Sequence, residues 1–154
     1  MKTLKQLTKG FNYVNSDITE ANFPLIDRKR KESKIFKFDR YISSKDVIKE
    51  MAKEGYEPAN LYELLQYKGE EKWVVALGSV CGLRGSRHVA YLGGDAGHRE
   101  LRLNYLDGDW NDYYRFLGVR KSELSSKTLN TSDLRNLELR IKALEDRLNK
   151  YNLV

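Results

Sequence analysis

Apolar residues with helical spacing predict two short helices in the first half of the chain. Val47, Ile48 and Met51 fall on one face of the first helix, which the hydroxyl pair at 43–44 caps and Gly55 ends. Because charged residues separate the apolar positions, residues 1–73 are predicted to form a helix-rich shell. The second helix is predicted over residues 58–67, beginning at Pro58, and its inward-facing residues are Leu61, Leu64 and Leu65.

Between residues 73 and 121 the apolar positions follow a strand pattern that glycine turns interrupt. A continuous apolar run is typical of a buried strand, and period-two alternation is typical of a strand with one face in solvent. The predicted strands cover 73–80, 88–92, 101–105 and 114–120, with turn signals at Gly93-Gly94 and Asp107-Gly108.

A basic run precedes these strands. Residues 29–37 contain five lysines and arginines, and 35–38 alternate as a strand does. One interpretation is an edge strand whose lysines face solvent and protect the edge. The other is a patch that binds an anionic partner.

The C-terminal residues carry the clearest helical pattern. Residues 131–133 supply an N-cap for this helix. Within its heptads, Arg140 and Arg147 occupy g positions, and Glu138 and Glu145 occupy e positions. A parallel pair of helices sets opposite charges together, whereas an antiparallel pair sets like charges together. We therefore expect either a parallel homo-oligomer or packing of this stripe on its own domain. The a and d residues are Leu134, Leu137, Ile141, Leu144, Leu148 and Tyr151.

Length, composition and charge limit the class of protein. The chain has 154 residues, of which 40% are hydrophobic and 32% charged, so we expect a soluble globular domain with a short appendage. Its net charge of +6 attracts acidic partners without identifying nucleic acid. The longest apolar run, 73–77, is far shorter than the ~20 residues of a membrane span, and the N-terminus lacks the apolar core of a signal peptide. The single Cys81 excludes an internal disulfide, so we expect a cytoplasmic or viral protein.

Five residue types are unevenly distributed. Residues 1–73 contain 25 Lys, Glu, Gln, Met or Trp, whereas residues 74–120 contain only Glu100 and Trp110. The same stretch is rich in Tyr, Arg, Asn, Asp, Ser and Gly. Rigid aromatic side chains beside small adaptable polar ones are typical of evolved binding loops, which favours a binding surface here.

Catalysis is poorly supported. His88 and His98 flank a glycine loop near Cys81, but no metal-ligand spacing such as Cys-x-x-Cys is present, and nothing singles out a third group for a Cys–His nucleophile. No Lys-Ser or Lys-Thr follows the glycines of 93–97, and the acidic residues of 107–112 depart from the spacing of a calcium loop. We therefore expect no enzymatic activity, no metal and no cofactor.

The order of several short motifs resembles a known family. Residues 54–65 resemble the helix–Pro–helix segment at the start of C-type-lectin-like domains of the formylglycine-generating-enzyme type. The motifs at 76–80, 87–92, 99–103, 109–110 and 114–121 look like the C-terminal half of variable proteins of diversity-generating retroelements. Such a retroelement rewrites template adenines, so asparagine codons become codons for many residues but not for Lys, Glu, Gln, Met or Trp.

The resemblance implies ligand binding through diversified positions. It does not imply oxidase activity, because the catalytic relatives need paired cysteines. The implied fixed framework is Gly78, Trp110, Arg115, Phe116, Leu117 and Arg120. The implied variable, ligand-facing positions are Cys81, Leu83, Arg84, Ser86, His88, Tyr91, Gly93, Asp95, His98, Asn104, Tyr105, Asp107, Asn111 and Tyr113.

The predicted fold is α+β: a C-type-lectin-like domain with short helices packed on antiparallel strands, plus a C-terminal heptad helix. The domains are an N-terminal extension, 1–41, the C-type-lectin-like domain, 42–121, with a variable segment at about 78–120, and the helix, 122–154. The predicted function is non-catalytic binding of a protein or other macromolecule. The alternatives are an oligomerisation adaptor that acts through 129–154, and a nucleic-acid-binding module that uses 29–37 with Arg84, Arg87, Arg99 and Arg102.

Overall fold

The computed structural model describes residues 1–30, 32–94 and 97–121, together with Lys142. The chain divides into two units, Met1–Ser122 and Glu123–Val154. The predicted heptad stripe of 134–151 falls outside the described residues, as does Asp95.

The first unit is a mixed α+β fold that consists mostly of sheet, which confirms the α+β class. The helices in its described residues are α1 (Leu4–Leu7), α2 (Ser44–Lys53) and α3 (Leu61–Leu65). Its strands are β1 (Tyr13–Val14), β2 (Ser33–Lys37), β3 (Ile42–Ser43), β4 (Tyr56–Pro58), β5 (Val74–Leu83), β6 (Ser86–Gly93), β7 (Glu100–Tyr105), β8 (Asp109–Trp110) and β9 (Arg115–Arg120).

The main sheet has seven strands. Its order is β1-β7-β6-β5-β9-β2, β4 also pairs with β9, and β3 and β8 form a separate two-stranded sheet. The contacts β1–β7 and β5–β9 are parallel, and the other pairs are antiparallel. Since β1 and β2 lie in this sheet, the predicted N-terminal extension, 1–41, supplies two of its strands.

Hydrophobic residues cover both faces of the sheet. Val74 and Ala76 of β5 belong to one buried cluster, and Val75 and Leu77 belong to the other. Because side chains of a strand alternate between faces, two covered faces make a continuous apolar run the expected pattern for β5. The same arrangement explains β9, in which four consecutive residues are buried instead of the predicted alternation.

The prediction of a helix after Ser43 is confirmed. The Ser43 side chain accepts a hydrogen bond from the backbone N–H of Asp46 at 3.1 Å and caps α2. Gly55 follows the helix with φ at +83°, a conformation that glycine adopts without strain. Val47 and Met51 are fully buried, whereas Ile48, at the edge of the same helical face, is 39% exposed.

The second predicted helix is also confirmed, and it is shorter than the pattern suggested. Asn60 and Glu63 cap each other's backbone at the start of α3, and Leu61, Leu64 and Leu65 are all buried. Pro58 lies in β4 rather than in a helix. Because the described residues before Trp73 form four strands besides three short helices, the prediction of a helix-rich shell was wrong.

The basic run contains the outer strand of the sheet. In β2 the lysines at 34 and 37 are exposed while Phe36 is buried, which confirms the edge-strand interpretation for the part of the run at 33–37. Lys31 lies outside the described residues. No helix in the described part of the chain is long and apolar enough to cross a membrane.

Candidate functional site: an aromatic face of the main sheet

Aromatic side chains gather on one face of the sheet where β5 and β9 begin. Strand pairing brings them together, because Val74 lies beside Arg115 in the register of β5 and β9, and Val75 lies beside Tyr91 in that of β5 and β6. We define the aromatic face as Trp73, Tyr91, Arg102, Asn104, Tyr113 and Tyr114.

The rings of this face form two layers. Trp73 stacks on Tyr91 with ring centroids 5.9 Å apart, and Tyr113 stacks on Tyr114 at 4.7 Å. The two pairs meet edge to face, with Trp73 and Tyr113 5.4 Å apart. Tyr91 and Tyr114 are buried, whereas Trp73 is 37% and Tyr113 45% exposed. Two solvent-facing rings therefore rest on two buried ones.

Polar groups fix the buried rings. Asn104 donates a hydrogen bond from Nδ2 to the Tyr114 hydroxyl at 3.2 Å. Burial raises the pKa of Tyr114 above its usual value, and the neighbouring Tyr113 and Tyr91 hydroxyls raise it further. Burial also raises the pKa of Tyr91. Both phenols are therefore neutral hydrogen-bonding groups near neutral pH.

Arg115 holds the chain segments that carry the exposed rings. Its guanidinium Nη1 donates to the carbonyls of Asp112, Tyr113 and Tyr114 at 3.2, 3.0 and 3.3 Å. Its backbone N–H donates to the carbonyl of Trp73 at 2.9 Å. Asn111 adds a bond from Nδ2 to the Tyr113 hydroxyl at 3.0 Å. The predicted framework residue Arg115 thus positions both Trp73 and Tyr113.

Arg102 lies at the edge of the face and is neutralised there. Its Nε donates to Glu100 Oε2 at 2.7 Å, and the other oxygen of Glu100 is 3.1 Å from His98 Nε2. The hydrogen bond that Arg102 donates to Glu100 is the main reason why the pKa of Glu100 is lowered. The Arg102 guanidinium also lies over the Tyr13 ring, 4.8 Å from its centroid, so β1 helps to fix it.

The structure brings only part of the predicted variable set together. Tyr91, Asn104 and Tyr113 belong to the aromatic face, and Asn111 contacts it. A Cβ added to Gly93 would lie 3.5 Å from the Tyr91 side chain and 3.8 Å from that of Arg102, so position 93 lies at the border of the aromatic face. Five other predicted residues, Cys81, Leu83, Ser86, His88 and Tyr105, lie on the opposite face by strand alternation and register.

That opposite group differs in chemistry from the aromatic face. Cys81 is buried, with Leu83 packed against the same cluster, and the His88 ring lies 4.7 Å from that of Tyr105. Cys81 and His88 are cross-strand neighbours in the β5–β6 register. The sulfur of Cys81 contacts the carbonyl of Gly82 at 3.7 Å, and His88 Nδ1 contacts the carbonyl of Ser86 at 3.2 Å.

The remaining predicted variable residues lie in turns. Arg84 is in the β5–β6 turn and pairs with Asp17 at 3.2 Å. Asp107 follows β7 and pairs with Arg87, and each group shifts the pKa of the other toward its charged form. His98 precedes β7 and is exposed.

The predicted framework residues occupy sites that the fold constrains. Trp110, Phe116 and Leu117 are buried. A Cβ on Gly78 would lie 2.6 Å from the carbonyl oxygens of both Pro58 and Ala59, so the register shift of β5 there admits no side chain. Arg120 lies over the Tyr56 ring with its guanidinium carbon 5.4 Å from the centroid.

Three residues of the aromatic face are missing from the predicted set: Trp73, Arg102 and Tyr114. The apolar run predicts that Trp73 belongs to the strand, but β5 begins at Val74 and Trp73 has φ at +58°. A tryptophan at the boundary between a charged loop and a buried strand is the signal that could have found it. Tyr114 and Arg102 carry no local signal, because only the sheet register places them beside Tyr91.

The described residues contain no group of three or more His, Cys, Asp or Glu side chains that could hold a metal ion. Several arginines of the nucleic-acid alternative pair with carboxylates, namely Arg84 with Asp17, Arg87 with Asp107 and Arg102 with Glu100. Arg99 lies over the Phe11 ring at 4.4 Å.

Compared with known proteins, the chain matches no family model, no curated protein and no solved structure.

Proposed function

We propose that the chain is a non-catalytic recognition protein that binds a macromolecular ligand through the aromatic face. The observation that carries the proposal is a pair of exposed rings, Trp73 and Tyr113, held rigidly over Tyr91 and Tyr114. Trp, Tyr and Arg are the residues that most often dominate binding energy at protein interfaces. Rings that are already fixed lose little conformational entropy on binding, so the energy they gain appears as affinity.

We further propose that a retroelement diversifies this surface, as the resemblance to variable proteins implies. Two features support this. The segment 74–120 lacks Lys, Gln and Met and holds one Glu and one Trp, and that single tryptophan is the buried Trp110. The predicted framework also differs from the surface in burial, since Trp110, Phe116 and Leu117 are buried whereas Tyr113 is 45% exposed and Asn104 and Asn111 are partly exposed. The C-type-lectin-like fold of this unit belongs to the same proposal.

The pairing of cations favours recognition over the nucleic-acid alternative. A surface that binds phosphates needs guanidinium groups that can exchange counterions for phosphate oxygens. Arg84, Arg87 and Arg102 each already contact a carboxylate. In the proposed arrangement these arginines order loops and strand ends around the face.

A display library tests whether the face tolerates change. Codons for Asn104, Asn111 and Tyr113 are randomised in one library, and codons for Trp110, Phe116 and Leu117 are randomised in a matched control. Protease resistance measures the folded fraction, and sorting against a panel of unrelated proteins measures new binding. We expect the first library to keep most clones folded and to yield binders, and the control to lose folded clones. Equal loss of folded clones from both libraries would contradict the proposal.

Oligomerisation through 134–151 is a separate part of the proposal. A parallel bundle would present several faces at once, and linked weak sites gain avidity without new contacts. Sedimentation of the full chain, beside a variant with Leu137→Asp and Leu144→Asp, tests it. We expect the full chain to be larger than one protomer and the variant to be monomeric, and a monomeric full chain would remove this part alone.

A further inference from the structure

Trp73 has a backbone conformation that tryptophan rarely adopts. Its φ is +58°, in the left-handed region, where a bulky side chain crowds the backbone. Such residues persist when the surrounding structure holds them, and they concentrate at functional sites. Here the backbone N–H of Arg115 donates to the Trp73 carbonyl at 2.9 Å, and three tyrosine rings lie within 5.9 Å of the indole.

This conformation keeps the indole at the surface. Trp73 is 37% exposed, although it directly precedes four buried residues of β5. The neighbouring Tyr113 ring meets it at 69°, so the two exposed rings form a corner. Ring faces carry partial negative charge and attract cations within about 6 Å of the centroid.

The charges around this corner add to that attraction. Arg102 contacts Glu100 at 2.7 Å, and Arg115 contacts Glu71 at 3.6 Å besides three backbone carbonyls, so both nearby arginines are engaged. Asp112, which directly precedes Tyr113, is exposed, and within the described ranges its carboxylate has no ion-pair partner. The corner therefore combines negative ring faces with the exposed Asp112, the residue that precedes Tyr113 in the chain.

We propose that Trp73, Tyr113 and Asp112 bind a lysine or arginine side chain of the protein partner, with the cation over the rings and its charge paired with Asp112. The inference rests on the proposed recognition function and names its chemistry. Trp73 precedes the predicted variable segment, and tryptophan is a residue type that the adenine-directed changes cannot produce, so it would serve as a constant anchor beside variable positions. A cationic partner residue complements the charge of the corner, whereas an acidic one would face both the ring faces and Asp112.

Indole NMR signals of the full chain report the binding directly, because Trp73 and the buried Trp110 are its two tryptophans. The probe is acetyl-arginine amide, and acetyl-citrulline amide is its neutral analogue of nearly the same shape. We expect a saturable shift of the Trp73 signal with arginine in the millimolar range, and a response to citrulline at least about fivefold weaker. Trp73→Phe assigns the signal.

Variants separate the contributions. Trp73→Ala and Asp112→Asn should each weaken arginine binding about fivefold or more. In these variants the NMR signals of the Tyr113 ring measure the binding. Trp73→Phe, which keeps a ring, should weaken it less. Tyr41→Ala removes an exposed ring that belongs neither to the aromatic face nor to the predicted variable positions, and it should leave binding unchanged. Thermal melting confirms that each variant is folded.

Equal shifts with arginine and citrulline, or arginine binding that survives both Trp73→Ala and Asp112→Asn, would overturn the inference. The absence of any arginine response would overturn it as well. These outcomes leave the proposed function standing, because the randomised libraries test tolerance and new binding without reference to a cation.

Discussion

The indole of Trp110 donates a hydrogen bond to the hydroxyl of Ser44, 2.8 Å away in the protein interior. That hydroxyl donates in turn to the carbonyl of Leu106 at 2.7 Å. The bonds tie β8 to the first turn of α2, and the Trp110 ring contacts Tyr114 edge to face at 4.8 Å. The buried layer of the aromatic face therefore rests on a fixed tryptophan whose polar atom is satisfied.

Ser44→Ala should destabilise the fold by about 1–3 kcal/mol, because it leaves the buried Trp110 N–H and the Leu106 carbonyl without a partner. Chemical denaturation measures the free energy of unfolding. Ser33→Ala, at an exposed position of the edge strand, is the matched control and should change it by less than about 0.5 kcal/mol. Equal effects of the two substitutions would show that the Ser44 bonds contribute nothing.

Gly78→Ala should destabilise the chain by about 1–3 kcal/mol or more, because the added Cβ would lie 2.6 Å from two backbone carbonyl oxygens. Gly82→Ala in the same strand is the control, since no heavy atom lies within 4 Å of its Cβ. Denaturation midpoints of the two variants give the comparison. A Gly78→Ala protein as stable as Gly82→Ala would refute the close approach of β5 to the 58–59 backbone.

Arg84→Asn in the β5–β6 turn should raise the free energy of unfolding. Arg84 and Gly85 have φ at +52° and +80°, as the central residues of a type I′ turn require, and Asn-Gly is the sequence that this turn prefers. Arg84→Ala removes the same exposed ion pair with Asp17 but keeps the strain. We expect the Asn variant to be about 0.5–1 kcal/mol more stable than the Ala variant. An Ala variant of equal or greater stability would contradict the turn assignment.

The raised pKa values of Tyr91 and Tyr114 predict a loss of stability at alkaline pH. Each folded pKa lies above the unfolded value of about 10, so the stabilisation is fully present below pH ~10 and is lost as pH rises toward the folded pKa. Denaturation at a series of alkaline pH values measures this slope. Tyr114→Phe should flatten it, and Tyr41→Phe, which alters a side chain 67% exposed, should not. Identical slopes in all three proteins would contradict burial of the Tyr114 hydroxyl.

Local sequence signals predicted the elements that local chemistry determines. Ser43 and Gly55 mark the ends of α2 because a cap and a left-handed glycine act within one turn of helix. The apolar run after Trp73 marks a strand covered on both faces. Ile48 remains 39% exposed beside the buried Val47 and Met51, because a helical pattern gives the position of an apolar stripe but not how much of it the core covers.

The site was predictable only in part, because sheet register decides it. The prediction placed Tyr91, Asn104 and Tyr113 in one set with Cys81 and His88, and the structure divides them between two faces. Alternation along β6 separates Tyr91 from His88, and the register shift between Ala76 and Val80 in β5, which no spacing in the sequence reveals, places Cys81 on the face of His88. Trp73 was missed because its left-handed backbone takes it out of the strand that its hydrophobicity predicts.

The central claim, recognition through a surface that a retroelement diversifies, is tested most directly by sequencing the gene and its flanks across a population. We predict a nearby near-repeat of codons 78–121, with mismatches only where the repeat has adenine. Those mismatches should concentrate in the predicted variable codons, among them the codons for Asn104, Asn111 and Tyr113, while the codons for Trp73, Trp110 and Arg115 stay constant. A gene without such a repeat, whose codons do not vary between individuals, would contradict the claim.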